Sequence, residues 1–206
     1  LAPVGSWAGN ALAAGFEFLG TSGGVVAIIG GGILAGLWCP MIITGMHVAV
    51  AMIAIANYMT VGSDGFVLVA TGVSLWATFG CEVATWLKLR DKDEKNMAFG
   101  YLVANIVGGV GEPFIYGMML RYRRVFVWKI IGSFVAGALA IALGATVYTA
   151  GAASNFLEFL AFAGGGTQNL INFGIAAAAG FLVSALGTYF FGFTEDELEN
   201  GPVSER

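Results

Sequence analysis

Glu112 sits between helix breakers inside an apolar run, in the stretch Gly108-Gly-Val-Gly-Glu-Pro-Phe114. An ionised Glu at membrane depth costs several kcal/mol unless it meets water, a partner or a ligand, so it marks a candidate functional site. Gly108, Gly109 and Gly111 permit a chain reversal, and Pro113 lacks an N–H and biases Glu112 away from helical dihedrals. Unwound backbone at that depth is tolerated only under protein or beside a water-filled cavity. The single histidine, His47, lies in Thr44-Gly-Met-His-Val-Ala-Val50, also within apolar sequence. A carboxylate and an imidazole that hydrogen-bond hydroxyls, with aromatic rings nearby, make a site suited to a neutral sugar. Each residue also has a structural reading. A protonated Glu112 would hold the turn shut by bonding a neighbouring helix, and His47 would be a satisfied core imidazole.

Other chemistries find no support. Cys39 and Cys81 lie in different apolar segments outside any CxxC pattern, which argues against a disulfide framework or a zinc site. There is no phosphate-binding Gly-rich loop ending in Lys-Ser/Thr and no Ser-His-Asp set. No cofactor and no metal is expected, and no basic face points to nucleic acid.

The elements that must position Glu112 and His47 follow from composition. With 58% hydrophobic and 11% charged residues, a water-soluble domain could not hide the long apolar runs, so the expected class is an all-α polytopic membrane protein. The 32 glycines fall within those runs, where close helix packing and broken helices use them. Residues 1–20 form a weaker segment, with Trp7, Asn10 and Glu17, that spans the bilayer or lies along it. The next 35 or so apolar residues exceed one crossing, and Cys39-Pro40 divides them into expected helices over 24–39 and 41–59, with His47 well inside the second. Residues 66–87 form a full span, and Glu82, within two turns of a basic loop, is expected to reach the interface. The tryptophans Trp7, Trp38, Trp76, Trp86 and Trp128 read as interfacial anchors or as stacking surfaces for a sugar. The chain begins at Leu1 with no signal-peptide pattern and reads as a piece of something longer.

Charge placement constrains the topology. Eight of the nine Lys and Arg residues fall in two clusters, at 88–95 and 121–129, which should share the cytoplasmic side. The segment 97–120 between them would measure about 36 Å as one helix, but its breakers split it into halves of about 18 Å. A re-entrant hairpin with Glu112 at its tip satisfies charge, length and breaker placement together. Residues 126–149 and 170–191 read as spans, with a second short hairpin or broken helix around 153–169. The acidic residues 193–206 read as a cytoplasmic tail or linker, leaving 1–192 as the membrane-embedded domain.

Thr44-Gly-Met-His47 resembles the Gly-x-His motif of the enzyme IIC permeases of the bacterial phosphoenolpyruvate-dependent sugar phosphotransferase system. Gly109-Val-Gly-Glu-Pro-Phe-Ile-Tyr-Gly117, with basic residues following, resembles their Gly-Ile-Thr-Glu-Pro-x-x-Tyr-Gly motif. The likeness is greatest to the glucose, beta-glucoside and sucrose group and runs over most of residues 1–190. It implies a transport domain in the bacterial inner membrane that moves a sugar, a glucoside or disaccharide by this likeness, while a partner phosphorylates it. Glu112 and His47 would hydrogen-bond the sugar, with Gly111, Pro113 and Phe114 of the same motif beside it and Glu112 polarising the hydroxyl that receives phosphate. The donor would be a phosphocysteine on a IIB domain, charged through IIA and HPr, and the full permease would dimerise through other helices. Gly111 departs from the pattern, standing where the motif has Thr. Two other readings remain at this point: a secondary transporter using Glu112 for proton or ion coupling, and a non-transporting sensor or scaffold.

Overall fold

The computed structural model describes residues 11, 14–16, 18–150 and 154–202, so Trp7, Asn10 and Glu17 lie outside the described residues. Seven helices organise the rest: α1 (Gly24–Thr44), α2 (His47–Val61), α3 (Val67–Lys88), α4 (Lys92–Ile106), α5 (Arg123–Ala142), α6 (Gly166–Phe191) and α7 (Glu195–Asn200). Among the described residues there is no strand, only an isolated bridge between Asp64 and Val147. Three of these helices, α1, α3 and α5, are long and apolar enough to cross a membrane, as is the continuous stretch Phe156–Phe191 that contains α6.

The four long helices α1, α3, α5 and α6 pack together as a bundle. Glycine sets the approach of α5 to α6. A β-carbon on Gly132 would stand 2.7 Å from the β-carbon of Ser184 and 2.9 Å from the carbonyl of Gly180, and one on Gly180 would stand 2.6 Å from the β-carbon of Ala136. Close backbone approach of this kind supplies packing where lipid removes the hydrophobic drive between helices. The opposite faces are apolar and open: on α1, Val25, Ile29, Ile33 and Leu37 repeat at helical spacing and are all exposed.

One polar node lies inside the bundle. Lys129 is 2% exposed, and its ammonium donates to the carbonyl oxygen of Ser74 at 3.0 Å, to Ser74 Oγ at 2.6 Å and to Ser133 Oγ at 2.6 Å. Ser74 Oγ in turn lies 3.1 Å from the Ala35 carbonyl, linking α1, α3 and α5. All three ammonium protons are therefore used.

Local chemistry ends the helices in places that differ from the sequence reading. α1 continues through Pro40 to Thr44, whose hydroxyl donates to the carbonyls of Pro40 and Met41, each at 3.2 Å. Termination falls at Gly45, with φ 76°, a left-handed conformation that only glycine takes without strain. His47 consequently begins α2 instead of lying well inside it. Asp64 caps α3 by accepting the N–H groups of Phe66 and Leu68. Burial pushes its carboxyl up, opposed by those same bonds. Around 154–169 the chain forms a broken helix: Asn155 caps a 3-10 run, Phe156–Gly165, and Gly166 at φ 74° leads into α6. The start of the acidic tail is folded. Thr194 and Glu197 form a capping box on α7, Phe193 and Leu198 are buried in the core, and Arg90 pairs with Glu195.

The glycine contact predicts an asymmetric response. Gly132→Leu should lower the thermal unfolding temperature of the purified protein in detergent through overpacking of about 1–3 kcal/mol. Gly174, where an added β-carbon would meet nothing within 4 Å, should accept Ala with unchanged or slightly raised stability.

Candidate functional site

The Glu112 stretch is built by a chain that doubles back. Asp91 caps α4 by accepting the N–H groups of Asp93 and Glu94, and α4 ends as Gly109 N–H donates to the Asn105 carbonyl at 2.9 Å. Gly109 takes φ 73°, and a β-carbon there would press on the Ser154 carbonyl at 3.1 Å. A single helical turn, Glu112–Phe114, and a π-helical turn, Ile115–Met119, carry the chain back. The two ends meet at Glu94, which accepts from Arg121 at 2.7 Å and from the Tyr122 hydroxyl. Burial, reinforced by the Glu94 carboxylate, pushes the Tyr122 phenol above its ordinary range, so it stays a donor around neutral pH.

At the turn lies a cavity of about 300 Å³ whose lining includes His47, Gly111 and Glu112. His47 is far from Gly111 and Glu112 in sequence, and the fold brings them to one space. Glu112 is exposed and its side chain has no hydrogen-bond partner among the described residues. His47 Nδ1 lies 3.3 Å from the Met41 carbonyl. A carbonyl only accepts, so that contact puts the proton on Nδ1 and leaves Nε2 as an acceptor. Trp38 meets the His47 ring edge-on, with centroids 5.9 Å apart, and lines the same cavity. The other two candidates behave differently. Pro113 is half-buried and does not line the cavity, and Phe114 is fully buried in a core cluster with Ile115, Met118 and Tyr122. Phe114 anchors the turn instead of facing the cavity.

Several lining residues escape a reading of the sequence alone. Lys129 belongs by position to the basic cluster at 121–129, yet it lies six residues inside α5 and faces the cavity together with Ser74. Its signal is present, since a lysine that deep in an apolar helix is costly unless it serves a site. Glu158, from the 3-10 run, adds a second carboxylate to the lining. Asn105 and Thr78 add neutral polar groups. Glu82 corrects an expectation: it does not reach the interface but is 0% exposed, because its face of α3 packs on α4, where Asn105 Nδ2 donates to Glu82 Oε1 at 2.8 Å. The cavity thus combines the carboxylates of Glu112 and Glu158, the Lys129 amine held by Ser74 and Ser133, an oriented imidazole, an indole and neutral hydrogen-bonding groups. That set matches a polyhydroxylated ligand better than an apolar one.

Sequence comparison gives this geometry a family context. No family model matches the chain, and no solved structure matches it. It is 33% identical over 139 residues to the PTS system beta-glucoside-specific EIIBCA component of Halalkalibacterium halodurans, covering 68% of this chain and 21% of that protein. It is 23% identical along its whole length to the PTS system arbutin-, cellobiose-, and salicin-specific EIIBC component of Escherichia coli, covering 42% of that protein. Identity to the PTS system beta-glucoside-specific EIIBCA component of Bacillus subtilis is 28%, over 94% of this chain and 30% of that protein. The chain spans less than half the length of these relatives. With the Glu112 and His47 motifs meeting at one cavity and such relatives covering most of the sequence, the chain belongs to the enzyme IIC permeases of the phosphotransferase system, in the glucose and beta-glucoside group.

Proposed function

We propose that this chain forms the sugar site of a phosphotransferase-system permease in the bacterial inner membrane, moving a glucoside or disaccharide inward while a IIB domain phosphorylates it. The observation that carries the reading is the shared cavity of Glu112 and His47, one free to accept hydrogen bonds and the other oriented to accept through Nε2. Relatives named for beta-glucosides, and for arbutin, cellobiose and salicin, support the sugar class.

In this reading the Glu112 carboxylate accepts a hydrogen bond from the sugar hydroxyl that is to be phosphorylated, raising the electron density on its oxygen. That oxygen attacks the phosphorus of the IIB phosphocysteine, the P–S bond breaks, the thiolate leaves and the hydroxyl proton passes to Glu112. His47 and the Trp38 face orient the ring. Cys39 and Cys81 are buried and take no part as donors. IIA and HPr would recharge IIB, and a homodimer would form through other helices of the full permease.

The segment 97–120 is read as a re-entrant hairpin with both ends on the cytoplasmic side. The meeting of Glu94 with Arg121 and Tyr122 supports that reading, because it ties together the two ends of the doubled-back segment. Residues 193–206 are read as the cytoplasmic exit, with residues 1–192 as the transport domain.

Three measurements test this reading. A thermal-shift screen of the full-length permease against glucose, sucrose, arbutin, cellobiose and salicin should find at least one stabilising sugar, and a flat response to all five argues against the reading. Glu112→Gln should weaken binding of that sugar by roughly ten- to a hundredfold in a direct titration, the cost of removing a charged hydrogen-bond acceptor being about 1.5–3 kcal/mol; unchanged affinity would remove Glu112 from the site. For the hairpin, single cysteines at Asp93 and Arg123 should both label from the cytoplasmic side, and labelling from opposite sides would make 97–120 a simple span.

A further inference from the structure

We infer that Asn105 helps decide which sugar the cavity accepts, by offering its side-chain oxygen to a ligand hydroxyl across Gly111. The inference rests on the cavity being a sugar site, and it adds a residue that neither motif contains.

Three observations converge on this amide. Asn105 is 1% exposed yet lines the cavity, at the point where α4 gives way to the Glu112 turn. Its Nδ2 donates to Glu82 Oε1 at 2.8 Å. Its Oδ1 is left buried with no hydrogen-bond partner. A buried amide oxygen without a donor carries a desolvation cost and calls for an incoming donor. The third observation concerns Gly111. A β-carbon there would lie 3.3 Å from both Nδ2 and Oδ1 of Asn105, so the bare backbone leaves the slot in which the amide rests.

This arrangement gives the departure at Gly111 a chemical meaning. The motif's Thr would bring a hydroxyl that both donates and accepts. Here that space is taken by an amide whose remaining capacity is acceptance alone. The ligand group beside Glu112 must then be a donor, so the cavity selects a sugar with a free hydroxyl at that position over one carrying an ether or no oxygen there.

The test uses the full-length permease, the sugar giving the largest shift in the screen, and its mono-deoxy analogues, with dissociation constants measured by titration. In the unaltered protein, removal of the hydroxyl that meets Oδ1 should weaken binding roughly five- to tenfold, the ordinary range for one neutral hydrogen bond. In Asn105→Ala, the parent sugar and that analogue should bind within about twofold of each other, while the penalties for the other deoxy positions persist. Gly111→Ala, which presses a methyl against the amide, should erode the same discrimination and serves if Asn105→Ala does not fold. Equal weakening for the parent and every analogue, or retention of all penalties in both variants, would make Asn105 a structural residue and overturn the inference. Failure of every sugar to bind would instead remove the underlying sugar-site reading and this inference with it.

Discussion

The amine of Lys129 is a costly group to bury inside the bundle, and three hydrogen bonds from two helices satisfy it. A buried amine without three acceptors would be intolerable in an apolar interior. Ser74 on α3 and Ser133 one turn along α5 supply those acceptors, and the Ala35 carbonyl on α1 draws in the third helix. For these groups to meet, the helices must approach closely, and the glycines and serines on their facing sides allow it. The same constraint leaves one side of the node open to the cavity, so the element that holds the helices together also gives the cavity a polar floor.

The glycine-rich faces and the exposed apolar faces divide the labour on each helix. Inward positions include many glycines, alanines and serines beside a smaller number of large side chains such as Leu34, Phe79 and Phe173, while many outward ones are large and apolar. Chain reversals at Gly45 and Gly109 then place one end of α2 and the turn after α4 against the same space, with the imidazole and the carboxylate approaching from different elements.

Legibility in the sequence follows physical locality. Glu112 and His47 are legible because a titratable group in an apolar run stands out from its neighbours alone, and Gly109 and Gly111 announce the reversal. Long spans near 66–87 and 126–149 are legible from length and hydropathy. The end of α1 is not, because a proline inside a helix and a glycine five residues later compete, and the left-handed residue at Gly45 decides the outcome. Glu82 is not legible either, since its burial depends on Asn105, 23 positions away on another helix. Lys129 is hidden by proximity to a basic cluster whose other members are at the helix end. Phe114 belongs to the motif but is turned into the core, a distinction of helical phase that no single sequence displays.

The π turn at Ile115–Met119 has its own consequence. Leu120 N–H bonds to Ile115 O, at 3.1 Å, one residue further than an α-helix would reach. One surplus residue rotates everything beyond it by about 100° relative to an unbroken α-helix. It thereby acts as a phase adjuster: Glu112 can face the cavity while Met118, Met119 and Tyr122 keep their places in the core. Regularising that turn would leave the composition of the site intact and put its carboxylate out of step with its anchor.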